Sequence, residues 1–540
     1  MRLRELALVL AVGLAPGVVS AQAPAGGLGR IEFATSGGPE AQAHFLRGAL
    51  LLHSFEYEDA AEEFREAQKL EPGFAMAYWG EAMTFNHPLW MERDRDAARQ
   101  VLARLAPTPE ARQAKAPTRR EKMYLGAVEV LYADGEKAER DQAYAEAMRR
   151  LHEEFPDDLD AASLYALSLL GSCEGKRDFA TYMRAAAVVE EVFAKNPQHP
   201  GAAHYLIHSY DDPVHAPLGM RPARVYATIA PSAAHALHMP SHIFLAEGLW
   251  NDVVASNEAS WRASVERAER KSLGADAHGF HALYWLEYAY LQQGRYGAAR
   301  RMLALMEADA SKSGSQKART HLVSMRAAYL VETGQWTGDV AAMRIETKDL
   351  SSRNTDAFVE GLVALGSGDR AGAERALSRM SAATKEEGAA PGHAHGGSSP
   401  SYGAASASTD AVLRKELEAK ILFANGQIDR ALALLKEAAR DEDAMSFDFG
   451  PPDIVKPTHE LLGEMLLEAK RPAEARREFE ASLARAPRRS QSLLGLARAS
   501  AKEGDAAAAR RAYEELKDVW SRADSGVVGL QETRQAAAGS

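Results

Sequence analysis

Six of the 17 histidines in this 540-residue chain, His204, His208, His215, His235, His238 and His242, fall within 39 consecutive positions. A uniform scatter would put about one there, so composition alone does not explain the cluster. Spacing says more than number. His204 and His208 are four apart, His238 and His242 are four apart, and the second pair follows the first by 34 residues. Residues four apart share one helical face, so each pair can chelate one ion through both imidazoles. Four neutral imidazoles suit Zn²⁺ or Cu²⁺, whereas three with a water leave an open position that can act as a Lewis acid. The expected ligands of a divalent transition metal are therefore His204, His208, His238 and His242. His235, three residues before His238, is a further candidate, as is His281, which falls on His235 when Gly248 is aligned with Gly294. Asp211 and Asp212 lie one turn beyond His208, placed to orient an imidazole N–H or to ligate directly.

The same histidines also fit a metal-free groove for a peptide, packed against Tyr205, Tyr210, Tyr226, Phe244, Trp250 and Tyr284. Pro240 weighs against plain packing. It stands between His238 and His242 in what reads as one helix, at a cost of about 3 kcal/mol. An enzyme of hydrolase or oxidase type, with three histidines on an open-site metal and Asp211, Asp212 or Glu247 as general base, stays open beside a binding role. Familiar catalytic signatures are missing. His459-Glu460-Leu461-Leu462-Gly463 starts like a zinc-protease helix but has Gly463 where the second His belongs, and Ser209 sits beside His208 without facing it. No phosphate loop or dinucleotide fingerprint is present, so no nucleotide cofactor is expected.

The elements that must position these residues read as helices. Ala, Leu, Glu and Arg dominate, β-branched residues are sparse, and almost no sheet is expected. The stretch HFLRGALLLHSFEYEDAAEEFREAQKLEPGFAMAYWGEAMTFNHPLW carries Phe55, Tyr57, Ala60, Phe64, Ala67 and Pro72 at offsets that resemble the tetratricopeptide repeat. The turn returns as Gly248-x-Trp250, Gly294-x-Tyr296, Gly334-x-Trp336, Gly368-x-Arg370, Gly426-x-Ile428 and Gly504-x-Ala506, with Lys470-x-Pro472 as a degenerate member. The resemblance implies an all-α, helical-hairpin solenoid, a right-handed superhelix whose concave face receives a protein or peptide partner. HYLIH, HALHMPSHIF and FGPPDIVKPTHELLGE further resemble a group of exported bacterial repeat proteins. That likeness implies fold and export and leaves the His core to physical argument.

Boundaries follow from composition. Residues 1–21 read as a signal peptide, with Arg2 and Arg4, an apolar run and Val19-Ser20-Ala21, so a periplasmic or secreted protein beginning near Gln22 is expected. Residues 22–38 read as a flexible lead-in, 39–380 as an N-terminal array holding the His core, and 381–408 as a low-complexity linker containing His393 and His395. Residues 409–525 read as further repeats and 526–540 as a polar tail. Between 93 and 200 the turn signature is weak, leaving divergent repeats or a helical insertion. No later apolar run is long enough to span a bilayer. A net charge of −11 with interspersed signs makes nucleic acid an unexpected partner. The single cysteine, Cys173, rules out an internal disulfide.

Overall fold

A computed structural model of the chain describes residues 26–174, 176–387, 400–447 and 449–538. Helices pack on their sequence neighbours through short connections, from Pro39–His53 with Tyr57–Leu70 to Ser490–Glu503 with Ala506–Val519. Such connections make neighbours antiparallel. The turns explain the pairing. Gly248, Gly294, Gly334, Gly368, Gly426 and Gly504 all have φ between 64° and 86°, the left-handed cap that glycine adopts without strain. Five residues on from five of them, Val253, Ala299, Ala373, Ala431 and Ala509 are buried where two helices meet, while Asp339, five after Gly334, is exposed. Two non-glycine residues hold the same place, Phe55 at φ 56° and Lys470 at φ 60°. Each costs roughly 1–2 kcal/mol in backbone strain.

Close helix approach also repeats. The Phe64 ring fills the space where side chains on Gly48 and Gly80 would stand, and Phe479 does so at Gly463 and Gly495. The chain is thus an all-α, tetratricopeptide-like helical-hairpin solenoid. Among the described residues, the sheet consists of the antiparallel pairing of Asn86–His87 with Glu92–Arg93. The stretch between 93 and 200 continues the array: Arg119–Leu131, Lys137–Glu154, Leu159–Gly171 and Phe179–Lys195 pack in sequence order onto Pro200–Tyr210.

Both ends fold back onto the middle. Arg267 and Lys271 pair with Asp59 of the first hairpin, and Gly29 lies against Gln198, Pro200 and Ile229. At the other end the Trp250 indole donates to the Arg488 carbonyl (3.0 Å), and the Asp524 amide donates to the Gly294 carbonyl (3.0 Å).

Three segment expectations change. Residues 28–33 are no loose lead-in: Leu28, Ile31 and Phe33 are buried, with Phe33 against Phe45, Trp79 and Tyr124. Three apolar side chains in a Gly-rich stretch suffice to anchor it. The linker is shorter than 381–408, because Arg370–Glu387 and Pro400–Ala424 are helices that run into it, as alanine-rich ends favour. Residues 388–399, with His393 and His395, lie outside the described residues, as does the expected signal peptide at 1–21. The tail contains the helix Leu530–Ala538, docked by buried Leu530 and Thr533 and by Glu532 pairing with Arg498.

The C-terminal repeats join the middle through a buried ionic knot. Arg489 is fully buried and donates to Glu460 (2.7 and 3.0 Å) and to the Tyr288 hydroxyl (2.7 Å), with Glu332 2.5 Å away. Removing one partner strands the others' charge in a low dielectric. Arg489→Ala should therefore lower stability by about 3–5 kcal/mol in urea unfolding. Lys69→Ala, at an exposed pair, should stay within about 0.5 kcal/mol. Equal small effects would contradict this account of the junction.

Candidate functional site

His204 and His208 lie on Pro200–Tyr210, His238 ends Ala234–His238, and His242 is the third residue of Pro240–Ala246. Pro240 divides what would be one helix: Met239 keeps helical dihedrals, and a new segment starts at the proline. His204, His208, His238 and His242 are buried, whereas His235 is half-buried and His281 exposed.

Hydrogen bonds fix the tautomers. His204 Nδ1 donates to the His53 carbonyl (2.7 Å), which can only accept. His238 Nδ1 donates to Asn257 Oδ1 (2.6 Å), whose amide is oriented by its own donation to the Val253 carbonyl (2.8 Å). His242 Nδ1 donates to Asp211 Oδ2 (3.0 Å). With every Nδ1 proton committed, each neutral ring presents its Nε2 lone pair. The consequence is unusual: His238 Nε2 and His242 Nε2 lie 3.1 Å apart, and with both rings in the neutral Nδ1–H form two lone pairs face each other. A proton there would create a buried imidazolium. Burial opposes it, pushing His242 down to about 4 against the pull of Asp211, and holding His238 well below its ordinary value together with His281 and His242.

A cation of another kind resolves the contact. Two nitrogens about 2.0–2.1 Å from one tetrahedral zinc stand about 3.3 Å apart. The His238–His242 separation and the 3.2 Å between His204 Nε2 and His235 Nε2 are close to that value. His208 Nε2 is buried without a hydrogen-bond partner, a further nitrogen left for a ligand. The structure brings His204, His208 and His235 together, and separately His238, His242 and His281, each set within 4.8 Å.

Asp211 is not placed as a general base. Burial would raise its pKa, but Arg177 (2.5 Å) and the imidazoles of His208 and His242 hold it far below the usual carboxylate range. Asp212 is taken up by Arg177 (3.1 Å) and by His215 Nδ1 (2.9 Å). Ser209 donates to the Tyr205 carbonyl (2.7 Å), and Glu247 caps its helix.

Of the aromatic residues expected in a groove, Tyr284 keeps solvent contact. Tyr205, Tyr210 and Trp250 are buried: the Tyr205 hydroxyl bonds His53 Nδ1 (2.9 Å), and Trp250 sits in the joint with the C-terminal repeats. Folding back of the chain ends covers Tyr205 and Trp250. Other aromatics replace them around the imidazoles. Phe55 packs at 4.3 Å from His204, Trp285 at 4.6 Å and Phe449 at 4.8 Å from His242, and Trp90, 41% exposed, at 5.6 Å from His235. Sequence reasoning also missed Arg177, Asn257 and Asp160. Asp160 lies behind the site, accepting from His53 Nε2 (3.0 Å).

No family model and no curated protein sequence matches the chain. Among solved structures it is similar to yeast Tom70 (13% identity, 92% of this chain and 88% of that one, TM-score 0.27). It is also similar to the human IFIT1 dimer with m7Gppp-AAAA (13%, 94% and 90%, TM-score 0.34) and to the P58(IPK) TPR domain (12%, 92% and 98%, TM-score 0.21). The fold assignment rests on the chain's own helix pairing.

The lowered pKa of His242 has a measurable consequence. An unfolded histidine binds its proton near pH 6.5, while the folded site refuses it until about pH 4. Metal-free protein should therefore lose stability as pH falls from about 6.5 to about 4, on the order of 3 kcal/mol from this residue. Urea unfolding across that range should show the slope, reduced in His242→Asn. A profile identical in both proteins would contradict the neutral buried imidazole.

Proposed function

We propose that this chain is an exported helical scaffold that holds a divalent transition metal on its inner face and receives a protein or peptide partner there. The observation that carries the metal is the contact between His238 and His242, two lone pairs in a buried setting at 3.1 Å. A cation removes the repulsion and a proton is disfavoured. Imidazole donors without a carboxylate in the first shell suit zinc or copper and do not suit magnesium or calcium. Asn257, Asp211 and the His53 carbonyl supply the outer hydrogen bonds that hold ligating imidazoles in place. The helical-hairpin scaffold supports a partner role, since stacked hairpins offer a continuous curved surface. Export rests on the charged, apolar and small-residue order of residues 1–21.

A metal-dependent enzyme of hydrolase or oxidase type is the second reading, favoured by the exposure of His281, which brings a ligand set to solvent. Asp211, held ionised by Arg177, does not serve it as a base, and an open coordination position would have to generate the nucleophile itself.

Adding Zn²⁺ or Cu²⁺ to metal-stripped, untagged protein should raise its unfolding temperature, by an amount equivalent to about 2.7 kcal/mol at a hundredfold excess over Kd. His208→Ala should respond much less. Calorimetry that detects no binding of either ion at micromolar concentration would overturn the metal and leave a metal-free polar groove.

A further inference from the structure

The six imidazoles form two sets rather than one. Nitrogens of His204, His208 and His235 lie within 4.8 Å of one another, and so do those of His238, His242 and His281, with no residue common to both. The sets are built alike. Each takes an i,i+4 pair from one helical run and a third imidazole from the run after the intervening helix, His235 for the first and His281 for the second. They also adjoin: ring centres are 5.4 Å apart for His208 and His242 and 6.1 Å for His235 and His238. Asp211 Oδ2 lies 3.0 Å from His242 Nδ1 and 3.5 Å from His208 Nδ1, so one carboxylate stands behind a member of each set.

Resting on the metal-binding reading above, we propose that the inner face holds two divalent transition-metal ions, three imidazoles to each, with Asp211 as their shared outer partner. The loaded pair takes a small anionic oxygen ligand from the solvent side, at His281. Two physical requirements lead there. Three protein ligands leave each tetrahedral ion one position short. Six neutral imidazoles supply no negative charge, and Arg177 already draws on Asp211 and Asp212, so two adjacent dications lack a counter-charge. An oxygen anion meets both needs. His281 is exposed and His235 half-buried, so each set has one member in contact with solvent.

The test is a Zn²⁺ titration of metal-stripped, untagged full chain by calorimetry, with metal counted by elemental analysis, in the presence and absence of acetate. Two ions per wild-type chain are expected, and one each in His235→Ala and His281→Ala. Those positions touch solvent, so circular dichroism should show the fold retained. Acetate should tighten binding at least tenfold. No bound metal overturns the metal-binding reading itself. One ion per wild-type chain, or two persisting in both variants, overturns the two-ion site while leaving that reading in place. Two ions with an affinity indifferent to acetate overturn the anionic ligand.

Discussion

A single buried carboxylate governs how the inner face can be used. Asp211 caps the helix Pro200–Tyr210 in a fully enclosed position, where a carboxylate persists in its charged form through strong partners. Arg177 supplies one, and also donates to the Ser209 carbonyl (3.2 Å). The other Asp211 oxygen then takes imidazole N–H groups, which settles the tautomer of His242 and draws His208 Nδ1 to the same side. From that constraint follows the direction in which His242 Nε2 faces His238, and with it the chemistry available there.

Stacked hairpins normally touch only their neighbours. Here the two chain ends close over the middle, and this gives the His core its dielectric. Phe55 illustrates the exchange. In the first repeat it occupies the left-handed turn position that glycine holds elsewhere, a strained conformation for an aromatic residue. Its buried ring lies against His204, His208 and His235. On the opposite side Phe449 covers His242, and Gly450, at φ 109°, passes so close to Trp285 that a side chain there would meet the indole at 2.5 Å. Low water access depresses imidazole pKa values and raises the cost of leaving facing lone pairs unresolved.

Local periodicity made much of this legible. The i,i+4 pairs, the turn glycines and the break at Pro240 are short-range signals, and each appears in the structure as a shared face, a left-handed cap or a helix division. The partition of the histidines was not legible, because it depends on how far successive hairpins rotate. His235 and His281 were reachable through repeat alignment; Arg177 was not, since it lies in a stretch with a weak turn signature and reaches Asp211 34 positions later. The lead-in and the tail were misread for a related reason. A few apolar residues, Phe33 and Leu530 among them, are weak signals in sequence and decisive once a distant surface is ready to receive them.

The central claim is that His204, His238 and His242, locked through Nδ1, offer their Nε2 atoms to metal. Anomalous diffraction at the metal edge, from crystals grown with Zn²⁺ or Cu²⁺, tests it most directly. The account predicts a peak within bonding distance of Nε2 of His238 and His242, about 2.0–2.1 Å for zinc, with Nδ1 of His242 still bonded to Asp211. Ordered metal at other residues only, or an ordered His238–His242 pair without a peak, would contradict it.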